Sequence, residues 1–460
     1  MNIQFYNSLT RKKEDFVPIK NKQVGLYTCG PTVYDNPHIG NLLSYIIWDI
    51  LKRFLTSQGF KVKHVMNLTD VGHLVSDSDE GEDKMEKAKQ REQQSAWKIA
   101  DKYIKIFKDD IIQLNILPPT KYLRATETIQ EQIDFVQKLE EKKFLYKTSD
   151  GLYFDTSKSK DYGKLGNLQN VDIKEGARVA KNDEKKNPAD FAVWKFSPKD
   201  VQRDMEWDSP WGKGFPGWHL ECSVMSRMEL GDTFDIHTGG EDHLPIHHPN
   251  EMAQSEAVTG KIQANVWLHN AFLKEDGGKM SKSKGGFITL DTIQEKNINP
   301  LAFRLLVLQN HYRKPLNFTW DSLVAAQNGL INIVKEISFY DKPKVGCPEF
   351  AREFDEAMAD DLNTAKALAV LQAVLDSDYP SAAKLQTILK IDKVLGLNLE
   401  SLRKQALKIS TEAKKLLKQR QMSRDNKDYK LSDELRDKLQ DMGVEVKDTD
   451  QGQQAINIKF

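Results

Sequence analysis

The periodicity of apolar positions is sharpest between Val24 and Leu68. Val24 to Cys29 reads as a strand, followed by a loop broken by Gly30, Pro31 and Pro37. Leu43, Ile47, Leu51 and Leu55 then recur every four residues, which predicts a helix with one apolar face, stopped by Gly59. Lys61 to Leu68 is the next strand, so the whole stretch forms one strand–helix–strand crossover unit. Asn36 suits the cap and Pro37 the first helical position, where a missing amide hydrogen costs nothing. His38, Ile39, Gly40 and Asn41 then occupy the first turn, where unpaired backbone amides and the helix dipole favour a phosphate. A nucleotide site is the natural use of that geometry.

Elsewhere the pattern is looser. Asn2 to Lys22 is a polar lead-in, read as an edge strand and turn. Asp70 to Gln94 is charged and short of apolar residues, and reads as a solvated loop entering a helix. Trp97, Tyr103, Ile104, Phe107 and Ile111 predict an amphipathic helix from Ser95 to Leu117, closed by Pro118 and Pro119. A further helix runs from Thr126 to Lys143, and FLYKTSDGLYFDT reads as a hairpin turning at Ser149 to Gly151. Asp155 to Pro188 is rich in Lys, Asp, Asn and Gly and is the best candidate for a flexible insert. Phe350 to Leu395 reads as helices, with Met358, Leu362, Ala365, Leu368 and Leu371 at helical spacing.

Composition narrows the function only a little. A chain of 460 residues suggests about three domains and a large core. Its formal net charge of +0 gives no general case for nucleic-acid binding, so any RNA site must be a local basic patch. No apolar run approaches a membrane span, and the N-terminal residues lack the apolar core of a signal peptide. Cys29, Cys222 and Cys347 form no paired framework, which points to a reducing cytoplasm and to metal or packing roles.

Cys29, Cys222, His247 and Glu251 are candidate metal ligands, since Cys and His hold Zn²⁺ well and Glu can join them. Only His247 and Glu251 show ligand spacing, on one helix face if Pro249 sits in a first turn. Cys29 and Cys222 are too far apart in sequence for spacing to pair them, and taken singly each of the four is better explained as a buried thiol or a capping side chain.

A histidine-bearing helix start after a first strand, followed far downstream by KMSKS at Lys279 to Ser283, resembles the two signatures of class I aminoacyl-tRNA synthetases. More specifically, YTCGPTVYDNPHIGN, PGWHLECSVM, DIHTGG, HHPNE and KMSKS, in this order, resemble the cysteinyl-tRNA synthetase family over nearly the whole chain. The resemblance implies a Rossmann-like α/β catalytic domain over residues 1–298, with an insertion at about 120–210 and a mobile signature loop at 277–286. It further implies a tRNA stem-contact segment at 299–345, a helical bundle at 346–400 and a small anticodon-side domain at 401–460, the last three being C-terminal α-helical tRNA-binding parts.

The same resemblance assigns roles. Cys29, Cys222, His247 and Glu251 match the ligands of one Zn²⁺ per chain that receives the substrate thiol, and Cys29, Thr69, Trp218 and His237 lie around the amino acid. His38, Gly40, Asn41, Lys279, Ser281 and Lys282 match the ATP site, with His38 and Asn41 donating to phosphate, Gly40 leaving room for adenine, and Lys279 and Lys282 closing over the triphosphate. ATP with Mg²⁺, L-cysteine and tRNA(Cys) are the expected partners of a cytoplasmic, monomeric cysteine–tRNA ligase without a membrane. Zinc makes physical sense as a selector, because a simple pocket separates cysteine from serine poorly.

Some positions depart from the family pattern. Many relatives carry Leu-Gly-Asn after KMSKS, where this chain has Lys284, Gly285 and Gly286. Leu42 to Ser44 stands where many carry an Arg, Val71 to His73 where Asp-Asp-Lys is frequent, and Pro249 where Glu is frequent. HYRKPLNFTW, with His311, Tyr312, Arg313 and Lys314, resembles the family's segment at the inner corner of tRNA. Between Ser401 and Lys438 basic residues outnumber acidic ones, including Arg403, Lys404, Lys408, Lys414, Lys415, Lys418, Arg420 and Arg424, and this tail is expected to face the anticodon arm. A ligase that joins activated cysteine to an amino sugar shares the catalytic core but lacks most of such a tail.

Overall fold

The structure, a computed structural model, describes residues 2–71, 84–166, 183–198, 203–275, 278–279, 287–449 and 452–459. Two compact units form: Met1–Leu290 with Tyr312–Asn317 and Ala359–Leu362, and Asp291–His311 with Phe318–Met358 and Asn363–Phe460.

In the first unit, β1 (Gln4–Asn7) and β2 (Lys12–Asp15) pair as an antiparallel hairpin. The centre is a five-stranded parallel sheet built from β3 (Gln23–Thr28), β4 (Lys61–Leu68), β5 (Lys121–Arg124), β10 (Phe234–Gly240) and β11 (Ala264–Asn270). Its spatial order is β11-β10-β3-β4-β5, so the chain winds outward from β3 in one direction and later resumes on β3's other side. That reversal point, at the carboxyl ends of the strands, is where open α/β sheets bind ligands.

Helix α1 (Ile39–Ser57) connects β3 to β4 and buries Leu43, Ile47, Leu51 and Leu55, the four positions of the predicted apolar face. Its start differs from the sequence expectation. His38, not Asn36, is the N-cap: it is extended (φ −105°, ψ 163°), its Nδ1 accepts from Asn41 N at 3.3 Å, and the Asn41 side chain accepts from His38 N. This reciprocal pair satisfies two backbone donors at once, which an Asn36 cap two residues earlier would leave open. At the other end Gly59 turns with φ +85°. α2 (Lys84–Glu92) and α3 (Ala96–Gln113), capped by Ser95, lead to β5.

After α4 (Ile129–Glu141) the chain leaves the parallel sheet. β6 (Leu145–Lys147), β7 (Gly151–Phe154), β8 (Phe191–Phe196) and β9 (Gly214–Pro216) make a four-stranded antiparallel sheet. The predicted hairpin at Ser149 to Gly151 joins β6 to β7. The stretch from Asp155 to Pro188, read as a flexible insert, lies partly outside the described residues, and its flanks are pinned: the buried Asp190 accepts from Thr156 N (2.9 Å) and Thr156 Oγ1 (2.7 Å). Leu152, Phe154, Phe191 and Trp194 share one apolar cluster with Tyr27, Cys29, Leu220 and Cys222, so the insertion is part of the core around the sheet's carboxyl edge. α5 (Trp218–Leu230) and α6 (His247–Thr259) then flank β10 in sequence, and β12 (Leu273–Glu275) pairs with β13 (Gly278–Lys279).

The second unit is mainly helical, with α7 (Leu290–Glu295) at the junction in sequence. α8 (Pro300–Leu308) is capped by Asn299 with Pro300 in its first turn, and α9 (Trp320–Ser338) is capped by a Thr319–Ser322 box; between them in sequence, β14 (Leu316–Phe318) pairs with β12, and its Leu316 and Asn317 belong to the first unit. α10 (Pro348–Ala359), α11 (Thr364–Asp376), α12 (Ser381–Leu395) and α13 (Leu399–Ala406) cover the region read as helices. α14 (Thr411–Asp425), α15 (Tyr429–Asp441) and the hairpin β15 (Val444–Thr449) with β16 (Gly452–Asn457) close the chain around their own small core of Ala413, Leu439, Val444 and Val446.

One close approach sets the spacing of the sheet's carboxyl edge. A Cβ on Gly30 would lie 1.8 Å from the Asn67 carbonyl oxygen. Gly30→Ala therefore has to part the ends of β3 and β4, displacing Cys29 and Thr69 together. A loss of about 2 kcal/mol or more is expected, from overpacking plus the disturbed hydrogen bond at Gly30 N. Denaturant titration measures it, and an unchanged midpoint would contradict this geometry.

Candidate active site

Four strand ends and two helix starts converge on a cavity of about 340 Å³. Cys29 follows the end of β3, β4 runs into Thr69, β10 ends at Gly240 and β11 at Asn270, and all four residues line it. His38, Gly40 and Asn41 line it from the start of α1, and Trp218 and Cys222 from α5. Gly40 has a structural reason of its own, because a Cβ there would sit 2.9 Å from His38 Nδ1 and push the cap away.

Cys222 lies one turn beyond Trp218 on α5, while His247 and Glu251 share one face of α6 with Pro249 in its first turn, as the spacing predicts. Ser223 locks the two helices, donating to Gln254 Oε1 (2.8 Å) and to the Glu251 carbonyl (3.2 Å). Ligand atoms of Cys29, Cys222, His247 and Glu251 come within 4.8 Å of one another, and all four residues are buried. A tetrahedral zinc with these ligand types has donors roughly 3.3–3.8 Å apart, so small rotations suffice to close this set on one ion. A second set, Cys29, His237, His248 and Glu251, meets the same limit. Cys29, Cys222 and His247 line the cavity, whereas His237, His248 and Glu251 do not, so the first set is the one that opens to a substrate.

The electrostatics suit a cation. Burial opposes ionisation of Glu251, yet His237 and His247 outweigh it and hold the carboxyl below the usual carboxylate range. Burial likewise opposes a charge on His247, but the Glu251 carboxylate carries its pKa up to about 10. Burial and the neighbouring Cys222 push Cys29 well up, while Cys222, opposed by burial but helped by Cys29 and His247, falls below its ordinary value.

Thr69 lines the cavity, donating to the buried Glu221 Oε2 (2.8 Å) and accepting from Asn67 Nδ2 (2.9 Å). Trp218 packs against His247 with ring centroids 4.6 Å apart. His237 is placed differently from a substrate contact. It does not line the cavity; its Nε2 is 2.8 Å from Glu251 Oε2 and its ring stacks on Trp267 at 4.4 Å. Lys279 is in β13 with its backbone paired to Lys274, while its side chain, Ser281 and Lys282 lie outside the described residues. Beyond them, Phe287 stacks on His38 (4.4 Å, 22°) and Ile39 N donates to the Ile288 carbonyl at 2.9 Å, so the chain leaving the second signature returns to the helix start.

Sequence reasoning missed the support around these groups. Asn67 accepts from Gly30 N (2.7 Å) and donates to Thr69, bracing both strand ends. His219 Nδ1 lies 2.9 Å from His247 Nδ1, and His248 lies 3.3 Å from Cys29 Sγ and 2.7 Å from His269. The only signal available was that six of the ten histidines fall between His219 and His269.

Residues 15–328 match the tRNA synthetases class I (C) catalytic domain, and residues 408–455 match the cysteinyl-tRNA ligase anticodon binding domain. Cysteine–tRNA ligase 1 of Burkholderia lata is 48% identical over 461 residues, spanning 100% of this chain and 97% of its own. The chain belongs to the cysteine–tRNA ligase family. A second member, from Novosphingobium aromaticivorans, is 44% identical over 97% of this chain and 95% of its own. Solved structures show the class I fold alone at this distance. Mycobacterium tuberculosis methionyl-tRNA synthetase with methionyl-adenylate aligns at a TM-score of 0.57 and 14% identity, covering 83% of this chain and 90% of that one. Agrobacterium radiobacter LeuRS in a ternary complex aligns at 0.57 and 12%, covering 84% and 85%. The family's catalytic class, an α/β class I synthetase core followed by an anticodon-binding domain, is thus that of this chain, and no helix among the described residues is long and apolar enough to cross a membrane.

His237→Phe keeps the ring on Trp267 and removes the hydrogen bond to Glu251. Loss of such a supporting partner typically lowers metal affinity 10–100-fold. Competition with a chromophoric chelator should show that drop in Zn²⁺ affinity, together with a lowered Tm because one oxygen of the buried Glu251 carboxylate loses its partner; unchanged affinity would mean that His237 does not orient Glu251.

Proposed function

We propose that the cavity activates L-cysteine with ATP and passes it to the 3′ end of tRNA(Cys), with one Zn²⁺ per chain selecting the thiol. The observation that carries this reading is the meeting of Cys29, Cys222, His247 and Glu251 in one buried cluster at the end of the cavity that also contains the α1 start. Those four residues would hold the ion. Bound Zn²⁺ supplies a soft Lewis acid that lowers a thiol's pKa and prefers thiolate to hydroxyl, the difference between cysteine and serine.

The chain's own groups do the positioning. His38 Nδ1 is occupied as the acceptor of the Asn41 amide, which fixes the neutral ring with its proton on Nε2 as a donor for phosphate. Gly40 leaves space for the ring of His38 and for adenine, and Asn41 adds a further polar group at the helix start. Thr69 and Trp218 wall the amino-acid end. Lys279 and Lys282 neutralise the polyphosphate of ATP, which enters with Mg²⁺, and Ser281 adds a hydroxyl donor, while the substrate carboxylate attacks the α-phosphorus and pyrophosphate leaves. Orientation and charge neutralisation account for most of such a reaction's acceleration.

Residues 299–345 contact the tRNA stem, 346–400 form a supporting bundle and 401–460 face the anticodon arm of a monomeric, cytoplasmic enzyme. Several basic residues once counted toward RNA are spent internally. Tyr312 is buried with its hydroxyl on Asp361 (2.6 Å), and Arg313 pairs with the same carboxylate (2.7 Å). Arg403 donates to the Ile337 and Tyr340 carbonyls, and Arg420 and Arg424 bind Asp448. Lys408, Lys414, Lys415 and Lys418 remain exposed as the RNA-facing charges.

The direct test is pyrophosphate exchange. Parent protein should exchange with cysteine and not with serine, and should carry about one Zn²⁺ per chain. Cys222→Ser should lose metal and exchange together; full exchange by demonstrably metal-free protein would overturn the reading.

The tail is tested by ending the chain after Leu407, which removes α14, α15 and the closing hairpin with their own core and leaves α13 on α9. Exchange without tRNA should persist, while tRNA charging should show a raised KM and a shallower salt dependence as phosphate contacts are lost. Equal charging by well-folded truncated protein would mean that this tail is not an RNA-binding element.

A further inference from the structure

The charged stretch after Asp70 does more than enter a helix. α2 lies against the first unit with Met85 and Ala88 buried, and three contacts hold it in place. Lys89 Nζ bonds Asp204 Oδ1 at 2.6 Å, and Arg91 donates to the Tyr34 carbonyl (3.1 Å) and to Asp35 Oδ2 (3.2 Å). The first residue of α2 is then set over two aromatic faces. Lys84 Nζ is 5.4 Å from the centroid of Trp218 and 5.7 Å from that of Tyr34. A cation within about 6 Å of a ring face is attracted by the ring's quadrupole, most strongly by Trp.

Those two rings belong to different parts of the site. Trp218 lines the cavity and packs against His247, whereas Tyr34 belongs to the loop that runs from β3 into the nucleotide-facing α1. We infer that Lys84 is a positioning residue for the amino-acid substrate: its ammonium holds the Trp218 ring against His247 and ties that wall to the Tyr34 loop. The inference rests on the reading of the cavity as a cysteine-activation site. Methionine, of similar length, fills the same space and loses the cation's attraction, keeping only the contact of a thioether with an aromatic ring. Arginine keeps the attraction, because its guanidinium also stacks on aromatic faces.

The test compares Lys84→Met and Lys84→Arg in cysteine-dependent pyrophosphate exchange, with Tm recorded for each. Lys84→Met should raise KM for cysteine about tenfold while kcat and KM for ATP stay within about twofold. Lys84→Arg should return KM for cysteine to within about threefold of the parent. In a Trp218→Leu background, where the ring is gone, Lys84→Met should add nothing further. The inference is overturned by an unchanged KM for cysteine, by equal impairment in the Arg variant, by an additive effect in the Trp218→Leu background, or by a fall in Tm without the KM split. A parent protein that fails to exchange with cysteine would overturn the reading of the cavity and this inference with it. An active parent with an indifferent Lys84 overturns the inference alone.

Discussion

Burying the Glu251 carboxylate is the constraint on which the rest of the site depends. An unpaired charge without solvent costs several kcal/mol, so each oxygen needs a matched partner. His237 serves one oxygen and His247 the other, at 2.8 and 2.9 Å. His237 in turn needs Trp267 behind it, His247 needs His219 and Trp218, and Cys29 needs His248. The polar cluster is therefore a chain of obligations running from the cavity wall into the centre of the sheet. Removing one member leaves a buried group exposed to the full penalty, which explains why so many imidazoles occupy one small volume.

Much of this fold was legible because local signals agree with the tertiary arrangement. The strands at Val24 and Lys61, the helix from Ile39 and its stop at Gly59 follow from period and punctuation alone. The start of α1 was misplaced by two residues, since Asn36 and Pro37 carry a strong generic signal while the real cap uses a histidine, an uncommon residue for that role. Within the site, only the His247–Glu251 pair could be read from spacing, because both lie on one helix. Cys29 and Cys222 sit on a strand end and a helix, and their meeting depends on the order of strands in the sheet. The family resemblance, not the local pattern, named them as a set.

What stayed hidden was support rather than chemistry. Asn67 carries no motif, and its role comes from being opposite Gly30 and two residues before Thr69 on the next strand. Lys84 was lost in a charged run, where composition favours a solvated face. Arg403, Arg420 and Arg424 are the opposite case: their charge suggested RNA, whereas Arg403 satisfies the Ile337 and Tyr340 carbonyls, and Arg420 and Arg424 share the Asp448 carboxylate. Counting charges along a chain cannot separate the two uses, since both place a cation near a surface.

The strand order has a consequence for how the protein comes off the ribosome. β3 pairs with β4 soon after both emerge, but its other neighbour, β10, begins about two hundred residues later. At translation speeds of about 5–20 residues per second, some tens of seconds at the slow end separate Cys29 from the arrival of Glu251. For most of that interval one edge of β3 lies open to foreign strands, and until Cys222 emerges Cys29 waits as a thiol with no companion from its cluster. On the proposed zinc reading, metal capture is a late event in biosynthesis, and a nascent chain stalled before α6 holds the first half of the proposed nucleotide site without the complete set of Cys29, Cys222, His247 and Glu251.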